Sequence, residues 1–237
     1  MTIKLITFDL DNTLWPVNQV IRRAEETSAT WLRENHPDVS ARFNVSALIA
    51  VRNKLVADAP QYQHNLTALR KAALTHAFLA CGYSAQEAEH SSNAAFQVFH
   101  DARNQVTLFP SALETLEHLS QRYQLGTLTN GNADLNKIGL AHLFRFQHSS
   151  ESIGKRKPEA DMFYAALRDS GAHAKESIHI GDHPREDIGA ALTHGFNAIW
   201  ADLIEQPWPN DMPQPPYRFN DWKKLPALLE EIDDRSN

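Results

Sequence analysis

The sequence predicts an α/β fold in which a doubly wound parallel sheet is interrupted by an inserted, all-helical domain. Short apolar runs alternate with helical segments through the second half of the chain, and this alternation is typical of parallel strands joined by crossover helices. From Pro16 to Arg103, by contrast, apolar residues recur at the spacing of an amphipathic helix, with charged residues between them. These two patterns together predict the fold class.

The core elements are predicted in order along the chain. Ile3 to Phe8 is a short β-branched and apolar run, and it is the first predicted strand. Four further strands, each separated from the next by a predicted helix, are expected at Leu125–Thr129, Phe146–Ser149, Ser177–Gly181 and Phe196–Ala201. The helices beside them are expected at Pro110–Arg122, Ala133–Ala141, Glu159–Gly171 and Pro184–Gly195, with a last one at Trp222–Ile232.

The inserted domain is predicted to span residues 16–103, which leaves residues 1–15 and 104–237 for the core. Pro37, Pro60, Gly82 and Ser84 divide the insertion, and residues of these types commonly begin or end helices. We therefore expect about four helices joined by short turns. A proline-rich stretch, Gln206–Pro216, is interpreted as an extended segment that wraps the core, with a polyproline ligand as the alternative.

Composition argues against several classes of function. The formal net charge of −6 does not suit a nucleic-acid-binding surface. Cys81 is the single cysteine, so no intrachain disulfide can form, and a reducing cytoplasm is the simplest compartment. No apolar run approaches the roughly 18 residues that a membrane span needs. We therefore expect a cytoplasmic protein without nucleic-acid or membrane partners.

Polar residues follow the ends of the predicted strands, which is where doubly wound sheets bind their ligands. Asp9 and Asp11 follow the first strand, and two crowded carboxylates need a cation, for which Mg²⁺ suits oxygen ligands. Thr129-Asn130-Gly131 ends another strand, and its hydroxyl and backbone N–H groups can bind phosphate oxygens. The ordinary alternative is a pair of polar turns that cap the following helices.

Two further polar sites stand near later strands. Lys157 precedes Pro158 and can neutralise both a phosphate and an attacking carboxylate, although basic runs are usually solvated surface. Gly181, which permits close approach, precedes Asp182 in a run that continues to Asp187, and acids in this position also cap helices. Each site has an ordinary explanation by itself, but the combination of acids, a hydroxyl and a cation at successive strand ends is specific.

The four motifs resemble those of the haloacid dehalogenase superfamily. The matching segments are Asp9-Leu-Asp11-Asn-Thr13, Thr129-Asn-Gly, Lys157-Pro158 and Gly181-Asp182 through Asp187. The resemblance covers nearly the whole chain and implies a Rossmann-like core, with the insertion as the helical cap that members carry between their first two motifs. Dehalogenases of the family lack the acid that this sequence keeps at Asp11.

By this resemblance, Asp9 is the nucleophile, Asp11 is the acid/base and Lys157 neutralises the transferring group. The assignment is chemically sound, because a phosphate ester repels an anionic nucleophile until a cation and a lysine neutralise both. Asp11 can then protonate the departing alkoxide and later take a proton from the hydrolytic water. We therefore expect a phosphatase that acts through an aspartyl-phosphate.

The resemblance also implies the binding residues. Thr129, Asn130 and Gly131 would hold the phosphoryl group of the substrate. Mg²⁺ would be bound by Asp9, by the backbone carbonyl of Asp11 and by Asp182, with Asp187 supporting this set. The expected partner is a small phosphorylated metabolite. A phosphomutase uses the same motifs and stays open as an alternative, as does a non-catalytic protein whose cap binds partners.

The substrate is expected to depend on the cap. Trp15 and Arg103 flank the insertion and are candidates for the leaving-group pocket, against hinge packing and a solvated helix end as the alternatives. His183 either touches substrate or faces solvent at a helix start, and His179 is expected in the core. The Trp200 strand and the proline-containing tail are similar to bacterial phosphatases that act on flavin mononucleotide and ribityl phosphates, so these esters are expected among the better substrates.

Overall fold

The computed structural model describes residues 2–235 of the 237-residue chain, and the chain forms two compact units. One unit contains the sheet and is built from the described residues up to Val17, from Thr107–Gly131 and from the described residues after Lys137. The other unit is helical and contains Asn18–Val106 together with Asn132–Lys137. An α/β core with an inserted helical domain is thereby confirmed.

The sheet has six strands that all run parallel. Their order is β3-β2-β1-β4-β5-β6, a doubly wound arrangement in which the direction of winding reverses between β1 and β4. Ligands of such sheets bind outside the carboxyl ends of the strands beside this switch point. The strands are β1 (Leu5–Phe8), β2 (Gln124–Thr129), β3 (Phe146–Ser149), β4 (Ser177–Gly181), β5 (Asn197–Ala201) and β6 (Arg218–Phe219).

Strand β1 is central because apolar side chains cover both of its faces. Leu5 belongs to a buried cluster that also contains Phe163 and Phe196. Phe8, which points to the opposite face by the alternation of the strand, stacks on Trp222 with ring centroids 5.9 Å apart. Burial on both faces is characteristic of parallel strands and explains their nearly continuous apolar sequences.

Five α-helices form the helical unit within the described residues: α1 (Val17–Asn35), α2 (Pro37–Arg42), α3 (Val45–Asp58), α4 (Leu66–Ala80) and α5 (Ala85–Arg103). Local capping sets several of these boundaries, since Asn44 and Asn65 accept hydrogen bonds from the backbone N–H groups of α3 and α4. Ser84 and Glu87 form a capping box at the start of α5. The expected number of about four helices was too low, because the cap at Asn44 separates α2 from α3.

The helical unit has its own apolar core, which includes Phe78, Phe96 and Phe99. A half-buried ion cluster also belongs to this unit, in which Arg52 and Arg70 both donate to Glu25, at 2.9 and 2.8 Å. The guanidinium of Arg70 also lies 3.4 Å from the ring centroid of Phe99. The half-buried charges are therefore paired rather than left isolated, as burial requires.

The remaining α-helices within the described residues are α6 (Ala112–Ser120), α7 (Leu135–Ile138), α8 (Ser150–Ile153), α9 (Asp161–Ser170), α10 (Ala190–Thr193) and α11 (Leu225–Arg235). Of these, α7 lies largely in the helical unit. The helix expected at Ala133–Ala141 is only the single turn α7, because Gly139 follows it with a left-handed φ of 89°. The helix expected at Pro184–Gly195 begins instead as a π-helical turn, Pro184–Gly189, before α10. No described helix is long and apolar enough to cross a membrane.

The proline-rich stretch is followed by a sixth strand that the sequence analysis did not predict. Its two residues, Arg218 and Phe219, pair with Trp200 and Ala201 of β5. The strand is too short to give a periodic apolar pattern, and the prolines before it obscure what remains.

Candidate active site

The two strands beside the switch point each end in an aspartate. Asp9 follows β1 and Asp182 follows β4, and the backbone N–H of Asp9 donates to the carbonyl of Ile180 at 2.8 Å. Asp187 joins them from the π-helical turn that follows β4. Oxygens from these three buried carboxylates all lie within 4.8 Å of one another, so the sheet order brings acids from distant parts of the chain to one point.

The ammonium of Lys157 lies among these acids, and the residue is buried, with 1% of its surface exposed. It donates to Asp9 Oδ1 at 2.8 Å, to Asp187 Oδ1 at 2.6 Å and to the carbonyl of Leu128 at 2.6 Å. An ammonium has three protons, and each of them has an acceptor here. Burial disfavours its charge, but the carboxylates of Asp187 and Asp9 raise the pKa of Lys157 above its usual value.

One cation does not balance three carboxylates. Burial raises the pKa of Asp9 well above its usual value, against the charge of Lys157 and with the help of the charges of Asp187 and Asp182. Burial and the charge of Asp187 likewise raise the pKa of Asp182 to about 7. A second cation would therefore stabilise the ionised form of both acids and lower their pKa values.

Asp187 is the acid that stays ionised without such help. Burial opposes its charge, but Lys157 and His179 lower the pKa of Asp187 below its usual range. His179 Nε2 lies 3.0 Å from Asp187 Oδ1, and His179 Nδ1 lies 2.9 Å from the hydroxyl of Thr7. Because a carboxylate can only accept, the ring proton is assigned to Nε2. The expectation that His179 lies in the core is met, although the ring also orients an acid.

The loop after β1 places Asp11 beside Trp15. The indole Nε1 of Trp15 donates to Asp11 Oδ1 at 2.8 Å, and Trp15 is fully buried. Asn12 turns the loop with a left-handed φ of 60° and accepts from the backbone N–H of Val17 through Oδ1, at 3.1 Å. Trp15 was a candidate for the leaving-group pocket, but its fully buried ring fits the alternative of packing better, and it does not line the cavity beside Asp9.

Arg103 also departs from expectation. The residue is 1% exposed, so it is not a solvated helix end, and its Nε donates to Asn132 Oδ1 at 3.3 Å. Both residues belong to the helical unit. A terminal arginine is usually assigned to solvent from sequence, because the segment that buries it is remote along the chain.

Asn130 connects the second strand end to the lysine. Its Oδ1 accepts from the backbone N–H of Lys157 at 2.8 Å, and its Nδ2 donates to the carbonyl of Lys157 at 3.0 Å and to Glu186 Oε2 at 2.8 Å. Glu186 in turn accepts from Arg156 at 3.0 Å. The hydroxyl of Thr129 accepts from the backbone N–H of Gly131 at 3.0 Å. The amide therefore fixes the main chain that carries Lys157.

A cavity of about 180 Å³ lies at this point. Its lining includes every site residue predicted from the sequence, namely Asp9, Asp11, Thr129, Asn130, Gly131, Lys157, Asp182 and Asp187. It also includes Asn12, His183 and Glu186. The sequence indicated Asn12 only as a possible cap of the next segment, in the alternative of a polar turn, and the bond from Val17 agrees with that. It indicated no role for Glu186, whose only local signal was its position inside the fourth motif.

The donor set fits a hard divalent cation. The clustered groups are carboxylate oxygens, which Mg²⁺ prefers over nitrogen or sulfur ligands. Asp187 already uses both of its oxygens, Oδ1 toward Lys157 and Oδ2 toward the backbone N–H of His183 at 2.9 Å. Asp9 and Asp182 therefore have more capacity for a cation, and they are also the two acids whose pKa values are raised.

Comparison with known proteins assigns the chain to a family. The family model described as haloacid dehalogenase-like hydrolase matches residues 3–195, which include all four motifs. This chain belongs to the haloacid dehalogenase-like hydrolases. The resemblance in the motifs is thereby confirmed.

Relatives within this family are named mainly as phosphatases. The 5-amino-6-(5-phospho-D-ribitylamino)uracil phosphatase of Escherichia coli is 31% identical over 198 residues, which is 84% of this chain and 83% of that protein. A glyceraldehyde 3-phosphate phosphatase of Methanopyrus kandleri is 26% identical over 206 residues, with 83% of each chain covered. Together with the family match, these names identify a phosphoric monoester hydrolase that acts on small phosphate substrates.

A solved structure described as the 2-haloacid dehalogenase of Pseudomonas syringae pv. tomato DC3000 is also similar. It is 37% identical to this chain, with a TM-score of 0.92, and the match covers 98% of this chain and 100% of that chain. A magnesium-bound haloacid dehalogenase-like hydrolase of Bacillus subtilis has a TM-score of 0.65 at 19% identity, which supports the fold alone.

The close approach at Gly181 yields the first prediction. A Cβ at this position would lie 2.3 Å from Cγ of Asp187, and Asp187 cannot retreat without losing Lys157 or His179. Gly181→Ala should therefore lower kcat by about a hundredfold or more, because a small misplacement in a catalytic site has effects of this size.

Gly126→Ala is the matched control, since its Cβ would lie 2.3 Å from the ring of Phe146, which is not among the cavity-lining residues. It should reduce the free energy of unfolding by roughly 1–3 kcal/mol while the folded fraction keeps its turnover. Equal losses of turnover in the two variants would contradict a specific role for the gap at Gly181.

The raised pKa of Asp182 yields the second prediction. The folded state binds a proton up to pH about 7 and the unfolded state only up to its ordinary value of 3.8, so the protonated acid stabilises the metal-free fold below pH 4. This stabilisation should disappear as the pH rises from 4 to 7, by roughly 2–4 kcal/mol in the free energy of unfolding. Urea unfolding with chelator present, for wild type and Asp182→Asn, isolates this group. A pH-independent difference between the two proteins would contradict it.

Proposed function

We propose that this hydrolase is a Mg²⁺-dependent phosphatase that cleaves a small phosphomonoester through an aspartyl-phosphate on Asp9. The observation that carries the proposal is the buried group of three carboxylates around the ammonium of Lys157, at the switch point of the sheet. Three buried carboxylates carry more negative charge than one ammonium balances. Such a site suits a divalent cation, which can in turn bind the phosphate of a substrate.

Asp9 acts as the nucleophile in this proposal. One carboxylate oxygen of Asp9 attacks phosphorus, the new O–P bond forms, and the ester P–O bond breaks in line with it. Lys157 holds Asp9 Oδ1 at 2.8 Å, which fixes the direction of the carboxylate and reduces its repulsion of the phosphate. Bound Mg²⁺ supplies charge neutralisation for the phosphoryl oxygens.

Asp11 acts as the acid and then as the base. Protonated Asp11 gives its proton to the departing alkoxide, so that a neutral alcohol leaves. The ionised Asp11 then takes a proton from the water that attacks phosphorus, and cleavage of the O–P bond regenerates Asp9 and releases inorganic phosphate. The hydrogen bond from Trp15 to Asp11 Oδ1, at 2.8 Å, orients the carboxyl for both transfers.

The other residues bind and position. The hydroxyl of Thr129 and the backbone N–H of Asn130 are the proposed donors to the phosphoryl oxygens. The N–H of Gly131 donates to the Thr129 hydroxyl at 3.0 Å, which orients that hydroxyl for the phosphoryl group. The proposed Mg²⁺ ligands are Asp9, Asp182 and the backbone carbonyl of Asp11. Asp187 holds Lys157 and the start of the π-helical turn in place, as its contacts with the Lys157 ammonium and with His183 indicate.

A ribityl phosphate or flavin mononucleotide is the proposed substrate class. The support is the 31% identity to the Escherichia coli enzyme named for 5-amino-6-(5-phospho-D-ribitylamino)uracil. Other relatives are named for smaller esters, such as glyceraldehyde 3-phosphate, so we propose activity across several small phosphates. Stacking of a flat leaving group on Trp15 is not part of the proposal, because that ring is fully buried.

Dehalogenation of a 2-haloacid is the second candidate, favoured by the name of the structure that is 37% identical. Its chemistry makes different demands on the site. A halide leaves without a proton, so an acid at Asp11 would have no task, and a haloacid does not require a metal site beside the nucleophile. The acidic cluster and the oriented Asp11 therefore favour the phosphate ester.

Asp9→Asn tests the nucleophile. Turnover should fall below about one per cent of wild type, which corresponds to a barrier change of about 2.7 kcal/mol, while the fold is retained because the side chain keeps its volume. Mass spectrometry of the quenched wild-type reaction should detect phosphate on Asp9. The matched control is Asp161→Asn, a substitution of an exposed aspartate in α9. Substantial activity in Asp9→Asn, or phosphate on another residue, would reject the assignment.

A substrate panel tests the reaction itself. Release of inorganic phosphate from flavin mononucleotide, ribityl phosphate and glyceraldehyde 3-phosphate is expected with Mg²⁺ and should vanish with chelator. No halide should be released from 2-chloropropionate. Halide release without metal would favour the dehalogenase, and phosphate exchange that needs a bisphosphate activator but gives no net release would favour a mutase.

A further inference from the structure

The proline-rich segment Gln206–Pro216 reaches the active site through its first side chain. Gln206 Nε2 donates to the backbone carbonyl of Asp182 at 2.7 Å. The same carbonyl accepts from Trp200 Nε1 of β5 at 2.8 Å. A carbonyl oxygen has two lone pairs, and here two side chains from outside the four motifs use them.

The other side of the same peptide group is also held. Its N–H belongs to His183 and donates to Asp187 Oδ2 at 2.9 Å. Because a peptide group is planar, bonds at both its carbonyl and its N–H fix the rotation of the whole plane. That rotation constrains the backbone of Asp182 and so the direction of the Cα–Cβ bond from which its carboxylate projects.

The segment that carries Gln206 is itself anchored. The ring of Trp208 packs edge-on against Trp200, with centroids 4.9 Å apart, and Trp208 Nε1 donates to the carbonyl of Pro213 at 3.1 Å. Asp211 pairs with Arg185 of the π-helical turn. Prolines restrict the φ angles of the chain between these points, so Gln206 is presented from a segment with little freedom.

We propose that Trp200 and Gln206 are positioning residues that set the affinity of the site for its divalent cation. The two hydrogen bonds to the Asp182 carbonyl are named the carbonyl clamp. The clamp contacts neither substrate nor metal, and it acts by holding the Asp182 carboxylate in the direction that the cation requires. This inference rests on the proposed Mg²⁺ site and adds a role for the proline-rich segment.

The clamp explains how the Asp182 carboxylate can stay directed toward a cation site among other acids. Asp182 is buried, and an oxygen of its carboxylate lies within 4.8 Å of carboxylate oxygens of Asp9 and Asp187, so like charges crowd it. A carboxylate under such repulsion needs a firm backbone if it is to be available to a cation before the cation arrives. Partners that orient a metal ligand from behind commonly change metal affinity by about 10- to 100-fold when they are removed.

Isothermal titration of metal-free protein with Mg²⁺ tests the clamp without reference to turnover. Gln206→Met removes the donor but keeps the length of the side chain, and Trp200→Phe removes the other donor but keeps an aromatic ring against Trp208. Each change should weaken Mg²⁺ binding by about fivefold, and the double variant by more than about tenfold, in line with the effects of other groups behind metal ligands. Turnover should need correspondingly more Mg²⁺, and saturating Mg²⁺ should restore most of it.

Trp208→Phe is the matched control. It removes an indole N–H from the same segment, but the lost bond goes to Pro213 and not to Asp182. Its Mg²⁺ affinity should equal that of wild type. Equal weakening in Trp208→Phe and Gln206→Met would overturn the clamp, because general loosening of the segment would then explain both.

The remaining outcomes separate the clamp from the proposed function. If wild type binds Mg²⁺ and the Gln206→Met, Trp200→Phe and double variants bind it equally well, the clamp is overturned and the metal site stands. If wild type binds no Mg²⁺, the metal site fails and the clamp fails with it. Gln206→Met decides the question where Trp200→Phe does not fold, since Gln206 is only partly buried.

Discussion

The buried ammonium of Lys157 is the interaction on which the rest of the site depends. It joins three parts of the chain, since its acceptors are Asp9 after β1, the carbonyl of Leu128 in β2 and Asp187 in the π-helical turn. A charge taken out of water costs several kcal/mol unless it is paired and fully hydrogen-bonded, and here all three protons are used. The ammonium can therefore stay buried only while the carboxylates of Asp9 and Asp187 are in place. Those two buried carboxylates in turn need the ammonium. Asn130 completes this arrangement, because it grips the main chain of Lys157 at both its N–H and its carbonyl.

This balance is incomplete in a way that suits the chemistry. Asp187 remains ionised because Lys157 and His179 compensate for its burial, whereas the pKa values of Asp9 and Asp182 are raised. A divalent cation at the proposed site would supply the missing positive charge, and it would then also offset the charge of a bound phosphate. The fold thus retains an electrostatic cost that ligand binding removes, and this difference favours the bound state over the empty one.

Local sequence predicted the chemistry better than it predicted the surroundings. Asp9, Thr129 and Asp182 could be found because each directly follows an apolar run, and parallel strands bring their carboxyl ends to one edge. Partners that meet only through space gave no such signal. His179 lies in a buried strand and looks like core, although it orients Asp187. Arg103 is buried, so the alternative of a solvated helix end is wrong for it, and its partner Asn132 is not adjacent in sequence. The two-residue strand β6 was missed because it is too short to give a period. The helix predicted around α7 was too long because Gly139 ends it after one turn.

Residues outside the four motifs hold parts of the motifs in place, and this affects how the cation affinity of such a site can change. The sheet fixes where Asp9 and Asp182 begin, because all four residues of β1 pair with residues 177–180 of β4. A strand end does not by itself fix where the next side chain points. That direction is set by the following peptide group, and for Asp182 its partners come from β5 and from the proline-rich segment. The proline-rich segment and the π-helical turn are connected by Asp211 and Arg185 at the surface, where substitutions are tolerated more readily than in the sheet. Under the proposed clamp, changes there would alter the cation affinity of the site without touching a catalytic group.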